Sequence, residues 1–489
     1  MPDTVPDPIH AAAEADPEAP ALIDSEGTLT YAALNEAVGA TAERLRRLEI
    51  EEGSRVAWYL PRERSTLVLF WALMRIGAVA VPISTRTPSE GVPPLLRRAN
   101  ATHCITEEAP VAAEAEALGV PALALDECIR HEGPTETRVA DFPLDRPATI
   151  VFTSGSTGDA KAALHTWGNH YFSARGSAAN IPVGAGDRWL LSLPLYHVGG
   201  LAIAVRCALG GAAVVLPTPG QPIAGACAAH RITHLSLVAT QLRRVLRDRS
   251  ASDVTEALKA VLVGGGPVPF ELFRQAHERG WPVHATYGCT EMASQVATTP
   301  PGADLDALQT AGQVLPHREV TIAESGDIWV RGDTLFPGYV DRSSLHDPSN
   351  NDGWYPTGDL GRIDEAGYLH VEGRIDNQFI SGGENIQPEE IERALRQLDG
   401  VRRAVVVPVP DDTFGQRPVA FVDVEGSPEA LEDWRAALSE SLPRFKLPIA
   451  LYAWPGEHPG EGMKVDREAL RQRARRMQSG AVSDANASD

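Results

Sequence analysis

A segment rich in glycine and hydroxyl side chains has the composition of a phosphate-binding loop. It reads Thr-Ser-Gly-Ser-Thr-Gly-Asp-Ala-Lys over residues 153–161 and directly follows an apolar run at residues 148–152. Glycine leaves backbone N–H groups accessible, Ser and Thr add hydroxyl donors, and the lysine adds a point charge. The candidate phosphate ligands are Thr153, Ser154, Gly155, Ser156, Thr157, Gly158 and Lys161. A flexible surface turn is the competing interpretation, and the spacing does not match a Walker-type NTPase.

Lysine is rare in this chain, which adds weight to its presence in that segment. The sequence has 44 Lys and Arg residues together, and only four of them are lysines: Lys161, Lys259, Lys446 and Lys464. A lysine in such an arginine-rich chain indicates that a compact ammonium group is favoured at that position. Lys464 stands in a second glycine-containing segment, Gly-Met-Lys-Val-Asp, for which an ordinary surface lysine is the alternative.

Two further clusters of polar residues come directly after apolar runs. Tyr287, Thr290 and Glu291 follow the run at residues 283–286. The aromatic face can pack on a purine, while the hydroxyl and the carboxylate can hold phosphate and Mg²⁺. Gly265 lies in a Gly-Gly-Gly-Pro segment, where glycine lets a flat ring approach the backbone. An ordinary strand end and a tight turn are the alternatives for these two clusters.

A third set of candidates lies in loops of the last third of the chain. Asp359 can accept two hydrogen bonds from a ribose diol, and Arg374 can bind ribose or phosphate. Gly383 belongs to the polar segment Ser-Gly-Gly-Glu-Asn at residues 381–385. Each of these loops, taken alone, is equally compatible with a structural role.

The charge balance limits the partners of the chain. Asp and Glu outnumber Lys and Arg by 65 to 44 in 489 residues, a formal net charge of −21. Such an acidic chain gains nothing from a polyanionic surface, so general binding to nucleic acids or to anionic membranes is excluded. The apolar stretch at residues 198–217 carries Arg206 near its middle, which favours a buried helix followed by a buried strand over a membrane span.

Cysteine usage and the N-terminal sequence indicate a cytoplasmic protein. The five cysteines are odd in number, widely spread and without a CxxC pair, so neither a disulfide framework nor a zinc site is expected. The first residues are acidic and lack the basic start and apolar run of a signal peptide.

The elements that would position these residues follow an α/β pattern. Helical periodicity at residues 31–48 and 65–76 alternates with short apolar runs, such as residues 55–59, that suit parallel strands buried on both faces. After Ala311 the runs become shorter and more antiparallel in character, and after Arg374 a compact α+β segment follows, with a helix predicted over residues 388–398.

Together and in this order, the motifs resemble the adenylate-forming superfamily of acyl-CoA synthetases, luciferases and peptide-synthetase adenylation domains, over essentially the whole chain. The resemblance implies an α/β fold with a large N-terminal domain of stacked αβ subdomains and a β-rich subdomain, at residues 1–374. It also implies a small mobile α+β C-terminal domain at residues 375–489. ATP, Mg²⁺ and CoA are the implied cofactors.

The resemblance also implies a role for each candidate. The loop ending at Lys161 handles the ATP phosphates, Thr290 and Glu291 handle phosphate and Mg²⁺, and Asp359 and Arg374 hold the ribose. Lys464 catalyses adenylation, Asp376 is the hinge, and the glycine loop near Gly383 lines the pantetheine tunnel. The family usually has proline and glycine flanking the loop lysine, whereas this chain has Ala160 and Ala162, which leaves the hydroxyls and the ammonium in place.

A narrower resemblance is to the ligases of this superfamily that make the CoA thioester of an aromatic dicarboxylate in menaquinone biosynthesis. It rests on residues 165–170, 193–201, 236–242 and 294–295. Their substrate needs a flat apolar slot and cationic or hydrogen-bonding groups for the carboxylate that does not react. His197, which is also a catalytic candidate with Lys161, and Arg206 and Ser294 are the predicted substrate contacts. A surface or ion-paired arginine and a core histidine are the alternatives.

Three other functions are compatible with the sequence. They are a CoA ligase for another aryl or medium-chain acid, an adenylation domain that loads a carrier protein, and an adenylate-binding protein without turnover. A homo-oligomer is compatible with each of them.

Overall fold

The structure is a computed structural model that describes residues 3–130, 141–153, 160–248, 257–424, 434–455 and 466–478. The chain divides into two compact units. The first comprises Met1–Val320, Val330–Tyr355 and Glu365–Leu369, and the second comprises Thr321–Trp329, Pro356–Asp364 and His370–Asp489. Five of the loop candidates, Ser154, Gly155, Ser156, Thr157 and Gly158, together with Lys464, lie outside the described residues. The domain boundary between residues 374 and 375 stays a prediction.

Strands and helices alternate through most of the chain before residue 347. The strands are β1 (Thr4–Val5), β2 (Pro20–Asp24), β3 (Gly27–Thr30), β4 (Arg55–Tyr59), β5 (Val79–Pro82), β6 (His103–Thr106), β7 (Ala122–Leu123), β8 (Phe142–Pro143), β9 (Pro147–Thr153), β10 (Lys161–Thr166), β11 (Arg188–Leu190), β12 (Ala213–Val215), β13 (His234–Leu237), β14 (Ala260–Val263), β15 (Val283–Cys289), β16 (Ser294–Thr298), β17 (Gln313–Val314), β18 (Glu319–Ile322), β19 (Asp327–Arg331), β20 (Gly338–Asp341) and β21 (Ser344–His346). The helices are α1 (Pro8–Ala15), α2 (Tyr31–Arg47), α3 (Arg64–Ile76), α4 (Val92–Ala99), α5 (Ala109–Ala117), α6 (Leu125–Cys128), α7 (Trp167–Asn180), α8 (Val198–Gly210), α9 (Ile223–His230), α10 (Ala239–Arg247) and α11 (Phe270–Glu278).

Two large sheets organise the first unit. One has the strand order β21-β20-β10-β9-β5-β4-β6-β7, and the other has the order β17-β16-β15-β14-β13-β11-β12-β2-β3. The central strands pair in parallel, for example β13 with β14 and β14 with β15. The β9–β10 and β15–β16 pairs are antiparallel. The candidate loops at the ends of β9 and β15 are therefore closed by antiparallel partners.

Apolar composition explains why these elements are buried. Strand β14, Ala-Val-Leu-Val, is buried at every residue, as expected for a parallel strand covered on both faces. Helix α3 is buried from Thr66 to its last residue and ends at Gly77, whose φ of 78° is a left-handed conformation that glycine adopts without strain. Helix α8 has the same apolar character and ends at Gly211 with a φ of 68°. The predicted buried helix and strand at residues 198–217 are thus α8 and β12.

The second unit is built around small sheets of two to four strands. Its remaining elements are β22 (Tyr355–Ile363), β23 (Leu369–Arg374), β24 (Phe379–Ser381), β25 (Glu384–Ile386), α12 (Pro388–Leu395), β26 (Val401–Asp411), β27 (Gly415–Val424), α13 (Trp434–Ser441), β28 (Leu451–Ala453) and α14 (Arg467–Gln478). Most residues of a sheet with the order β18-β19-β22-β23 belong to this unit, and β26, β27 and β28 form a second sheet.

Alternation along β26 places helices on both faces of that second sheet. Val406 packs in one cluster with residues of α12 and α13. Val405 and Val407 pack in another cluster with Leu470 of α14. A period of two along the strand is what a sheet covered on both sides requires. The compact α+β character predicted for this segment is confirmed.

Two observations concern the predictions about membrane spans and disulfides. No helix among the described residues is long and apolar enough to cross a membrane. All five cysteines are free thiols, and four of them are buried.

Candidate active site

The two ends of the predicted phosphate loop lie side by side. Thr153, the last residue of β9, pairs with Lys161, the first residue of β10. The Nζ atom of Lys161 lies 5.0 Å from the centroid of the Tyr339 ring. This cation–π contact is of a kind that stabilises a partly exposed ammonium by about 0.5–1 kcal/mol. The lysine is therefore held at the mouth of the loop by an aromatic ring that the sequence interpretation did not single out.

Tyr339 joins the lysine to the acidic residue of the second motif. Its hydroxyl donates a hydrogen bond to Oε1 of Glu291 over 2.5 Å and lies 2.9 Å from the hydroxyl of Tyr355. Burial, followed by the charge of Glu291, raises the pKa of Tyr339, so the phenol keeps its proton. Lys161 and Glu291, separated by 130 positions, thus meet at one tyrosine of β20.

The turn that carries Thr290 and Glu291 is tight and conformationally unusual. A single 3₁₀ turn spans Thr290–Met292, and it is followed by Ala293 and Ser294 with φ angles of 52° and 129°. Non-glycine residues adopt such angles at a cost of order 1–3 kcal/mol, and they do so mainly where surrounding contacts fix them. The backbone between β15 and β16 is therefore held in one conformation, with both motif residues on it.

A chain of buried hydrogen bonds supports this turn from β9 and β10. Nε2 of His165 lies 2.7 Å from the carbonyl oxygen of Thr290. Its Nδ1 lies 3.3 Å from Oγ1 of Thr149, which lies 2.8 Å from Nε2 of His170. Burial lowers the pKa of His165 to about 4, so the ring is neutral and carries its proton on Nε2, toward the carbonyl. His165 and His170 thus form a supporting network.

Glycines permit close approach where the nucleotide candidates lie. A Cβ on Gly288 would lie 1.9 Å from the carbonyl oxygen of Ser294. A Cβ on Gly264 would lie 2.6 Å from Cγ2 of Thr286. Gly265 itself has a φ of 82° and is exposed. Tyr287 is half-buried on β15, next to Gly288. Gly265 therefore follows β14, and Tyr287 lies in the second half of β15, the parallel neighbour of β14.

The predicted acyl contacts lie on α8 and at the start of β16. His197 is the N-terminal cap residue of α8, and its ring packs edge-on against Tyr196 with 4.7 Å between centroids. Its side chain is half-buried, so the alternative of a core histidine is wrong. Glycine is required at position 200, because a Cβ there would lie 2.0 Å from the carbonyl oxygen of Pro194 in the preceding turn.

Arg206 lies in the interior beside Ser294. Its Nη2 donates to Oε1 of Gln295 over 2.7 Å and to Oγ of Ser294 over 3.3 Å. The guanidinium carbon lies 5.4 Å from the Trp189 ring centroid. Only 3% of the residue is exposed, and no carboxylate of the described residues pairs with it. The alternative of a surface arginine is therefore wrong, and the alternative of an ion-paired arginine has no support within the described residues.

Burial of this charge has an energetic consequence. Desolvation lowers the pKa of Arg206 to about 10, which still leaves the guanidinium charged at neutral pH. Its Nε is buried with no hydrogen-bond partner among the described residues. A buried cation with neutral neighbours is costly unless an anion joins it. The site is therefore suited to a ligand carboxylate.

The ribose and hinge candidates lie in the second unit and are joined to one another. Nη1 of Arg374 donates to Oδ1 of Asp359 over 2.9 Å, and Nη2 donates to Oδ2 of Asp376 over 3.3 Å. Gly358, with a φ of 71°, allows this, because a Cβ there would lie 3.1 Å from Nη2 of Arg374. Gly383 has a φ of 90° and open space around it.

The other two described lysines have structural partners. Lys259 forms an ion pair of 2.7 Å with Asp187, whose side chain is nearly buried. Lys446 pairs with Glu390 of α12. Of the described lysines, Lys161 alone belongs to a candidate phosphate segment.

The donors at Thr290 and Glu291 suit a hard cation bound together with phosphate. Carboxylate and hydroxyl oxygens are the ligands that Mg²⁺ prefers. No group of three or more His, Cys, Asp or Glu side chains that could hold a metal alone occurs within the described ranges. Mg²⁺ generally takes one or two carboxylates and completes its shell with substrate phosphates and water.

Comparison with known proteins defines the class of the chain. A model of the AMP-binding enzyme family matches residues 9–340, and a model of the AMP-binding enzyme C-terminal domain matches residues 390–457. The chain belongs to the AMP-binding enzyme family. The resemblance to adenylate-forming enzymes inferred from the motifs is confirmed.

Individual relatives narrow the comparison. The chain is 37% identical over 434 residues to the 2-succinylbenzoate-CoA ligase of Escherichia coli (strain K12), covering 88% of this chain and 89% of the relative. It is 34% identical over 465 residues to the enzyme of the same name from Geobacillus kaustophilus, covering 92% and 94%. The narrower resemblance to dicarboxylate ligases is confirmed as well.

Solved structures agree with these relatives. The o-succinylbenzoate CoA synthetase (MenE) of Bacillus subtilis in complex with the acyl-adenylate intermediate OSB-AMP is 30% identical, with a TM-score of 0.86 and coverage of 95% of this chain and 98% of that one. The same synthetase in complex with ATP and magnesium ion gives a TM-score of 0.85 at 30% identity, with coverage of 95% and 99%. The predicted fold class is confirmed.

Proposed function

We propose that this chain is an ATP-dependent acid-thiol ligase that converts 2-succinylbenzoate to its CoA thioester through an acyl-adenylate, in menaquinone biosynthesis. In the first half-reaction a substrate carboxylate oxygen attacks the α-phosphorus of ATP, and the bond to pyrophosphate breaks. In the second, the CoA sulfur attacks the acyl carbon, the bond to AMP breaks, and the thiol proton passes to solvent. The products are the thioester, AMP and pyrophosphate.

The observation that carries the proposal is the buried guanidinium of Arg206, which has no carboxylate partner among the described residues. A monocarboxylic acid uses its one carboxylate in the reaction and has nothing to offer this cation. A dicarboxylate keeps one carboxylate free, and a charge-assisted pair with Arg206 would return the cost of burying the charge. Ser294 and His197 lie on the neighbouring elements as the other substrate contacts.

The remaining candidates serve the nucleotide. Both half-reactions develop charge on phosphate, so stabilisation of charge matters more than proton transfer. Lys464 catalyses adenylation, and Lys161 and the loop that precedes it bind the phosphates. Thr290 and Glu291 would hold Mg²⁺, which when bound neutralises charge on the phosphates.

Candidates in the second unit complete the assignment. Asp359 and Arg374 hold the ribose, and their mutual ion pair orients both side chains before ATP binds. Asp376 acts as the hinge, and Gly383 belongs to the segment that borders pantetheine. ATP and CoA as substrates, together with five free thiols, support a cytoplasmic location for the enzyme.

The proposal is tested by CoA-dependent release of AMP with 2-succinylbenzoate, benzoate and octanoate as substrates. We expect turnover with 2-succinylbenzoate, and at least about a 30-fold loss of kcat/KM for it in Arg206→Met, because truncating a buried hydrogen-bonded charge pair costs about 2–5 kcal/mol. Preference for benzoate or octanoate would assign a different CoA ligase. Absence of turnover with all three acids would indicate a protein that binds adenylate without catalysis.

A further inference from the structure

Gln295 is the side chain that fixes the predicted carboxylate-binding arginine. It is 3% exposed, and its Oε1 accepts from Nη2 of Arg206 over 2.7 Å. Its Nε2 donates to Oγ1 of Thr298 over 2.7 Å. Oγ1 of Thr298 lies 2.8 Å from Oγ1 of Thr286, which in turn donates to the carbonyl oxygen of Ala297.

These contacts fix the orientation of the amide. Because Thr286 uses its proton on a carbonyl oxygen, Thr298 must donate to Thr286 and can only accept from Gln295. The NH₂ group of Gln295 therefore faces Thr298, and the oxygen faces Arg206. The arginine thus meets a neutral acceptor at a site where the nearly isosteric glutamate would bring a negative charge.

A second guanidinium strengthens the positive character of this site. Arg318 is 6% exposed, and its Nε donates to the backbone carbonyl of Gln295 over 2.6 Å. Its other donors meet the carbonyl oxygens of Pro316 and Ser173. Burial is the larger cause that lowers the pKa of Arg318 to about 9, and the positive charge of Arg206 is the second cause. Both buried arginines have only neutral oxygen partners among the described residues, in a chain with a net charge of −21.

We propose that Gln295 is a specificity-determining positioning residue that holds the Arg206 guanidinium in place while leaving its charge for the non-reacting carboxylate of the substrate. The inference rests on the proposed function and deepens it. A glutamate at this position would form an internal ion pair with Arg206 and compete with the substrate carboxylate. Selectivity for a dicarboxylate then depends on the neutrality of this amide, since specificity is a difference between two affinities.

The test compares Gln295→Glu and Gln295→Met with the wild-type protein. Three acids serve as substrates in the AMP-release assay: 2-succinylbenzoate, 4-phenyl-4-oxobutanoate, which lacks the ring carboxylate, and 2-butanoylbenzoate, which lacks the chain carboxylate. Gln397→Glu, at an exposed position after α12, is the control for the added charge. Thermal unfolding checks that each variant is folded.

We expect Gln295→Glu to raise the KM for 2-succinylbenzoate at least tenfold. For the one of the two monocarboxylates that reacts, kcat/KM should stay within threefold of the wild-type value. Gln295→Met removes the hydrogen bond to Arg206 without adding charge. Its KM for 2-succinylbenzoate should therefore lie between those of the wild type and Gln295→Glu. It also keeps the test decisive if the glutamate variant does not fold, because an unchanged ratio between dicarboxylate and monocarboxylate in Gln295→Met overturns the inference.

The test distinguishes failure of the inference about Gln295 from failure of the proposed function. If the wild type prefers 2-succinylbenzoate but Gln295→Glu lowers activity equally on all acids, Gln295 has a structural role only, and the inference is overturned while the proposed function stands. If the wild type shows no preference for the dicarboxylate, the proposed function fails, and the inference fails with it. Gln397→Glu should behave as the wild type throughout.

Discussion

Acidification should weaken the protein through the buried His165. The ring is fully buried, and burial lowers its pKa from 6.5 to about 4. In the unfolded chain the same imidazole takes up a proton near pH 6.5, so the unfolded state binds more protons between these values. Stability is therefore fully present above about pH 6.5 and is lost as the pH falls toward 4. From the two pKa values the loss attributable to this histidine is about 2 kcal/mol between pH 7 and pH 5.

The assay is urea unfolding followed by tryptophan fluorescence at pH 7 and at pH 5. His165→Gln is the informative variant, because its amide can still donate to the carbonyl of Thr290 but does not titrate. We expect its free energy of unfolding to fall by about 2 kcal/mol less than that of the wild type over this range. His277→Gln, at an exposed position of α11, should follow the wild type. An equal fall in the wild type and His165→Gln would refute the assignment of the acid sensitivity to His165.

Three further predictions concern the nucleotide motifs and their support. Tyr339→Phe removes the hydrogen bond to Glu291, a charge-assisted bond worth about 1.5–3 kcal/mol, so pyrophosphate release should slow at least tenfold; an unchanged rate would exclude a role in holding that carboxylate. Gly288→Ala would place a Cβ 1.9 Å from a backbone oxygen and should prevent soluble expression, whereas Gly225→Ala, in open space on α9, should be tolerated. Lys464→Ala should abolish adenylation but spare thioester formation from supplied acyl-adenylate; equal loss in both half-reactions would contradict the division of roles.

Local sequence patterns were sufficient for the elements that carry the motifs. The strand predicted at residues 55–59 coincides with β4, and the apolar run at residues 148–152 lies within β9, because a run of β-branched and apolar residues between polar turns has few other stable arrangements. The helix predicted over residues 388–398 ends earlier, at Leu395. Helix ends depend on capping contacts that periodicity does not encode.

Contacts between residues distant in sequence could not be predicted in this way. Tyr339 is 48 positions from Glu291, and His165 is 125 positions from Thr290. Their meeting depends on the order of strands in the sheets, which periodicity does not specify. Arg206 was a candidate through the resemblance to the dicarboxylate ligases, but its neutral surroundings could not be predicted from the sequence. Gln295 belongs to a segment that the sequence analysis used, but its contact with Arg206 required the structure.

Arg206 is buried without a carboxylate partner in the part of the chain that the structure describes, which makes the substrate-free fold less stable. A buried cation without a counter-ion lowers the free energy of unfolding, and a glutamate at position 295 would raise it again. The glutamine at this position therefore favours selectivity for the substrate over stability of the fold. Binding of a dicarboxylate restores the missing counter-ion and shifts the folding equilibrium by mass action. Cellular levels of the protein would then follow the supply of its acid substrate, since the unliganded form is the one more exposed to unfolding and proteolysis.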